Sequence, residues 1–178
     1  MEKRVGVAVD FSSCSKEALR WAVENVVRDG DHLILVVVRP EAVWDHASRN
    51  RDPELVTVDS GRGIYLDLFF EDSYIPLDEF SDPLVMKKYG VKPDPETLDI
   101  LNCVAREKAI VVVTKIYWGD PREKICEAID KIPLSCLIIG NRGLGRIKRA
   151  LLGSVSNHVV NNGTCPVTVV KNGNQHEG

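Results

Sequence analysis

The chain has 178 residues, 44% of them hydrophobic and 28% charged, with a net charge of −3. Those values exclude a disordered, collagenous or coiled-coil chain and fit one globular domain that buries about 70% of its unfolded surface. No apolar run approaches the roughly 18 residues of a membrane span, and an acidic total argues against a nucleic-acid binder.

Met1-Glu2-Lys3-Arg4 is too charged and too short to open a signal peptide, so the expected location is the cytoplasm. Residues 4–10 form a β-branched run that ends in Asp10. Ser12, Ser13 and Ser15 offer N-caps, and Ala18, Leu19, Ala22, Val23, Val26 and Val27 make a helical stripe over residues 16–28. Gly30 is the expected C′ residue of that helix. Residues 32–38, nearly all apolar, read as a strand buried on both faces, the kind found in parallel sheets.

Residues 40–93 break the pattern with five prolines, and residues 41–82 carry eleven acids against three arginines, a local charge of −8. The stretch reads as a long acidic insertion with one short helix near Leu84–Tyr89, and residues 41–82 are expected to exchange their amides fast. Pro95 and Glu96 then open a helix reaching about Lys108, and residues 109–118 form a β-branched strand. Asp120-Pro121-Arg122-Glu123 combines an N-cap acid, a proline at N1 and a glutamate at N3. The helix it opens presents Ile125, Ala128, Ile129 and Ile132. Residues 135–139 are a strand, a helix spans about Ser154 to Asn161, and Val167–Val170 is the last strand. Alternating strands and helices with short connections predict an α/β domain: an open five-stranded parallel sheet with helices on both faces. Ligands of such sheets bind beyond the strand carboxyl ends, where the strand order reverses.

The five cysteines are odd in number and lack a C-x-x-C pair, which predicts reduced, buried thiols. His32 and His158 have no partner at metal-ligand spacing, so no metal site is expected.

Residues 139–171 hold five cations and no acid. Within them Gly140-Asn141-Arg142-Gly143 follows a buried strand directly, and Gly153-Ser154 opens a helix. Glycines at 140 and 143 let backbone N–H groups approach an anion, and a helix N-terminus favours phosphate. The competing reading is a tight strand exit, a serine N-cap and a solvated basic face. The stretch contains no Gly-Lys-Ser/Thr and no dinucleotide fingerprint, so kinase and GTPase readings lose their main support.

The spacing G-x2-G-x9-G-[S/T], met by Gly140, Gly143, Gly153 and Ser154, resembles the ATP-binding signature of the universal stress protein family. The resemblance extends over most of the chain outside residues 40–93, including Val9-Asp10-Phe11-Ser12 and Cys165-Pro166-Val167-Thr168-Val169-Val170. Trp118-Gly119-Asp120 and Arg142-Gly143-Leu144 look most like plant members. It implies strand order 3-2-1-4-5 and a single domain. It also implies ATP or a related adenine nucleotide (AMP or ADP) as ligand, with Mg²⁺ entering only through the phosphates. Asp10, with Ala8 and Val9 beside it, maps to the nucleoside end, and Val37, or else Val38, to the adenine border. Gly140, Arg142, Gly143, Gly153, Ser154 and Val155 map to ribose and phosphates. A stress-responsive regulatory protein is the first expectation. A slow ATPase or phosphotransferase and a nucleotide-free interaction module are the alternatives. Residues 139–157 contain no acid or histidine, which counts against efficient phosphoryl transfer. The resemblance also implies a homodimer paired through Val167–Val170.

Overall fold

The computed structural model describes residues 1–40, 74–141 and 153–171. Six strands are present among them: β1 (Arg4–Ala8), β2 (His32–Arg39), β3 (Ile75–Pro76), β4 (Val111–Trp118), β5 (Cys136–Gly140) and β6 (Val167–Val170). The helices are α1 (Ser13–Asn25), α2 (Leu77–Phe80), α3 (Pro83–Lys87), α4 (Pro95–Glu107), α5 (Pro121–Lys131) and α6 (Ser154–Asn162). The sheet order is β3-β4-β2-β1-β5-β6. Without β3, the five expected strands lie in the order 3-2-1-4-5, all parallel. The expected five-stranded sheet is thus corrected to six. The addition, β3, is a two-residue antiparallel edge pairing Ile75 with Thr114 and Pro76 with Val113. Proline is tolerated there because an edge strand can leave one side of its backbone unpaired.

Alternation along the strands splits the core into two layers. Val7, Val9, Leu35, Val37, Ile116 and Trp118 face α1 and α4, packing with Leu19, Ala22, Leu101 and Val104. Ala8, Ile34, Val36, Tyr117 and Ile139 belong to the opposite layer, with Ile125, Ala128 and Ile129 of α5 and Val159 of α6. Helices therefore cover both faces, as a parallel sheet requires.

The caps follow the sequence. Ser12 accepts the Ser15 N–H at 3.2 Å, Asp94 the Thr97 N–H at 3.3 Å, and Asp120 the Arg122 N–H at 2.8 Å. Helix α1 ends sooner than expected, with Val26 as C-cap, and Gly30 is a left-handed turn residue at φ +83° rather than C′. Val26 and Val27 continue the apolar stripe because both pack into the core from the helix end and just beyond it. The thiols are not fully buried as expected: Cys103 is exposed and the other four are half-buried.

Part of the presumed insertion is core. Ile75, Phe80, Met86, Tyr89 and Val91 are at most 6% exposed and pack with Leu101 and Val112. Tyr89 stacks on Trp118 with ring centroids 6.4 Å apart. Within residues 74–82, Ile75 and Phe80 are thus anchored in the core. The rest of that expectation, on residues 41–73, lies outside the described residues.

One buried carboxylate fastens the amino end of the sheet. Asp31 is 3% exposed and accepts the N–H groups of Lys3 and Arg28, both at 2.9 Å. Burial pushes its carboxyl up, but those two N–H groups, the Lys3 ammonium and the chain's amino terminus outweigh it and hold it below 3.8. Its stabilisation is therefore complete above about pH 4 and fades as pH falls through the depressed value. We expect Asp31→Ala to cost about 2–3 kcal/mol at pH 7, since two charge-assisted bonds go and two donors are orphaned. Urea melts should show the gap to the parent chain narrowing below pH 4; a gap that is the same at pH 7 and pH 2.5 would refute this account.

Candidate functional site

The carboxyl end of the sheet gathers most of the residues singled out by the sequence. Strand β1 lies between β2 and β5. The chain leaves β1 through α1 on one face to reach β2, and later crosses by α5 on the other face to reach β5. The order therefore reverses between β1 and β5, which is where an open α/β sheet leaves a crevice. Val7 is level with Ile138 in the β1–β5 register, so Asp10 and Asn141 come out at the same end.

The exit of β1 is tightly built. The Val9 N–H donates to the Val36 carbonyl at 2.9 Å, one residue beyond the strand. Asp10 is exposed; its Oδ1 accepts the Ser12 N–H at 3.0 Å, and its own N–H donates to Ser15 Oγ at 3.4 Å. Phe11 sits between at φ +64°, a left-handed conformation that is uncommon for a residue with a bulky side chain. This Asx turn aims the chain into α1 and leaves the Asp10 carboxylate at the surface. Ala8 is 8% exposed and Val9 3%. Val37, at 1% exposure, is enclosed in the core, whereas Val38 beside it is half-buried.

The exit of β5 has its own constraint. A Cβ on Gly140 would lie 2.7 Å from the Cys14 carbonyl oxygen in the first turn of α1. Glycine is needed here for helix-to-strand contact, a reason distinct from the anion approach expected of it. Asn141 then acts as a clasp. Its N–H donates to the Val170 carbonyl at 2.9 Å, and its own carbonyl accepts the Gly153 N–H at 2.9 Å. The Ser156 hydroxyl, on a residue 2% exposed, lies 3.1 Å from that carbonyl and 3.0 Å from the Gly153 carbonyl. The two ends of the 142–152 segment are thereby held together beside α6. Arg142 and Gly143, with Arg146, Lys148 and Arg149, lie outside the described residues.

Helix α6 begins at this clasp without a side-chain cap. Gly153 is the N-cap, and the first intrahelical backbone bond runs from Asn157 N–H to the Gly153 carbonyl at 2.9 Å. The N–H groups of Ser154, Val155 and Ser156 precede that bond, so they lie at the positive end of the helix dipole. Ser154 is exposed and Val155 half-buried. Asn141 Oδ1 is buried and has no hydrogen-bond partner among the described residues. Asn141 and Ser156 were not among the expected site residues. Their part depends on backbone closure, and only Asn141's place inside the glycine-rich stretch hinted at it.

At the neighbouring strand end, Asp120 caps α5. The Arg122 guanidinium, 2.7 Å from Asp120 Oδ2, holds that carboxyl down to about 2, helped by the Arg122 N–H. Asp120 is thus spoken for by its own helix. Among the described residues no three His, Cys, Asp or Glu side chains gather as a cation cage, and no helix is long and apolar enough to cross a membrane.

The family model of the universal stress protein family matches residues 1–171. The universal stress protein A-like protein of Arabidopsis thaliana is 38% identical, over 89% of this chain and 78% of its own length. Universal stress protein PHOS34 of the same plant is 29% identical over 99% of this chain, which spans 64% of that relative's length. A solved universal stress protein family protein from Arabidopsis thaliana, with AMP bound, superposes with a TM-score of 0.54. It is 18% identical and covers 99% of this chain and 95% of its own. That likeness bears on the fold alone. The sequence match over nearly the whole length settles the family: this chain belongs to the universal stress protein family.

Proposed function

We propose that this chain binds an adenine nucleotide in the crevice between β1 and β5 and acts as a regulatory universal stress protein. The observation that carries the reading is the uncapped start of α6. Three N–H groups converge there beside the Asn141–Gly153 clasp, at the strand-order reversal. Such a terminus suits phosphate in both charge and hydrogen bonding. In this reading Gly153, Ser154 and Val155 hold phosphate with Arg142 and Gly143. Gly140 fixes the exit of β5. Asp10 takes the nucleoside end with Ala8 and Val9 behind it, and Val37, or else Val38, borders the base. The AMP-bound relative supports adenine as the base. ATP and ADP are admitted by the same chemistry, with Mg²⁺ carried by the phosphates. The residues of the site bind and orient; none between 139 and 157 is an acid or histidine that could serve as a base. Cysteines that are odd in number and lack a C-x-x-C pair fit a reducing compartment, the cytoplasm. The test is mass spectrometry of small molecules released from freshly purified, denatured protein, with calorimetric titration of AMP and ATP. A chain that carries no adenine compound and binds neither nucleotide would remove the reading.

The same reading includes a homodimer through β6. This strand is at the sheet edge and all four of its residues are half-buried. Leu137 N–H donates to the Pro166 carbonyl, and Asn141 N–H to the Val170 carbonyl. The two-residue repeat of a parallel ladder then turns the Val167 and Val169 N–H groups away from β5. An outward β-rich edge invites a second copy, antiparallel about a two-fold axis. Val169→Pro should therefore split the dimer without disturbing the β5 ladder. Sedimentation should give a dimer for the parent and a monomer for the variant; a monomeric parent rejects the interface, and a dimeric variant moves it elsewhere.

A further inference from the structure

Residues 83–93 contain three lysines and no acid, in a chain whose net charge is −3. The nearest carboxylates in sequence, Asp82 and Asp94, cap helices, while Asp78 and Glu79 of α2 are exposed. Asp82 Oδ1 accepts the Leu84 N–H at 2.8 Å as the cap of α3. Asp94 accepts the Thr97 N–H and hydroxyl as the cap of α4, and lies 3.5 Å from Lys16 Nζ. Lys87, Lys88 and Lys92 form no ion pair among the described residues.

Between α3 and the start of α4 this stretch frames a groove of about 400 Å³. Pro83, exposed, and Leu98, half-buried, give it apolar surface, Phe80 and Val91 close its base at 1% and 4% exposure, Lys87 and Lys92 line it too, and no acid does. Leu84, beside it on α3, is 77% exposed. It stands three residues before Lys87 and four before Lys88, which places the three on one helix face. The volume falls within the roughly 300–1,000 Å³ of ordinary binding clefts.

We propose that this groove docks an acidic segment of a partner protein. One or two large apolar side chains of that segment, leucine or phenylalanine, seat against Pro83, Leu84 and Leu98, and its carboxylates face Lys87, Lys88 and Lys92. Charge complementarity selects the occupant. A basic rim on an acidic protein favours an anionic partner and disfavours a second copy of this chain presenting the same rim. Three lysines fall short of the roughly four to eight that mark an anionic membrane surface, and the apolar part is a concave floor rather than a protruding face. The inference is independent of nucleotide binding, since none of these residues belongs to the crevice between β1 and β5.

The test uses the full chain and a fluorescein-labelled peptide, Glu-Asp-Leu-Phe-Asp-Glu, read by anisotropy and by amide shifts in 50 mM salt. Saturable binding is expected, with shifts confined to residues near 80–98. The double variant Lys87→Glu, Lys92→Glu should bind about tenfold more weakly, because two rim attractions become repulsions. The peptide with alanines in place of leucine and phenylalanine should also bind several-fold more weakly, because the apolar anchors are gone. Absence of saturable binding, or equal affinity in the double variant, would overturn the proposal. Equal affinity for the alanine peptide would reduce the site to surface charge and likewise overturn it. Stronger capture by phosphatidylglycerol vesicles, with shifts at the same residues, would replace the protein partner with a membrane.

Discussion

A Ser154→Glu variant is expected to bind adenine nucleotide at least about a hundredfold more weakly than the parent chain, and to melt no earlier. The two halves of this result have one cause. Ser154 is the first residue of α6, exposed, at a helix end that no side chain caps. A glutamate there meets the positive end of the dipole and stabilises the helix by about 0.3–1 kcal/mol. The same carboxylate occupies the place proposed for phosphate. Two like charges about 4 Å apart at an effective dielectric near 20 repel by roughly 4 kcal/mol, more than the 2.7 kcal/mol of a hundredfold loss. Ser154→Ala removes one hydroxyl and leaves the N–H groups in place, so it should cost only about tenfold. Calorimetric titration with AMP and ATP, beside thermal melts, separates a lost site from a lost fold. An affinity within threefold of the parent in Ser154→Glu would move the phosphate site away from α6.

Much of this architecture was legible because local chemistry and long-range packing agree. Asp120-Pro121 reads as a helix start, and Asp120 does cap α5. The apolar run of β2 reads as a strand with both faces covered, and its residues alternate between the two core layers. The parts that were not legible depend on contacts between segments far apart in sequence. Strand β3 has only two residues, one of them proline, too few to carry a period. Gly140 is fixed by the Cys14 carbonyl, which no spacing within the glycine-rich stretch could reveal. The clasp likewise closes on the Asn141 carbonyl, through the Gly153 N–H and the Ser156 hydroxyl, a contact between segments that no local pattern announces. Asp10 mixes the two cases. Its carboxylate serves the turn into α1 through Ser12, yet remains at the surface where the family resemblance places the nucleoside.

The stretch between Tyr74 and Pro93 is where sequence and structure diverge most, and its core residues are open to a direct test. Helices α2 and α3 have four and five residues, too short for an apolar stripe to repeat, so prolines and acids dominate the local pattern. Packing nevertheless puts Phe80 at 1% exposure and Met86 at 0%, in the layer shared with Leu101, Val112 and Trp118. Phe80→Ala should therefore destabilise the chain by about 3–5 kcal/mol, through lost transfer energy and the cavity left behind. That is a large share of the roughly 5–15 kcal/mol that holds a typical domain together. Leu84→Ala, four residues along, removes a side chain that is 77% exposed and should stay within about 0.5 kcal/mol of the parent. The pair is informative because an appended loop predicts near-equal, small effects for both. Urea unfolding at pH 7 reads the difference directly. A Phe80→Ala cost below 1 kcal/mol would mean that the α2–α3 segment leaves the sheet before the core unfolds. A cost near 4 kcal/mol in one cooperative transition makes the segment part of the cover over β4, alongside the crossover helix α4.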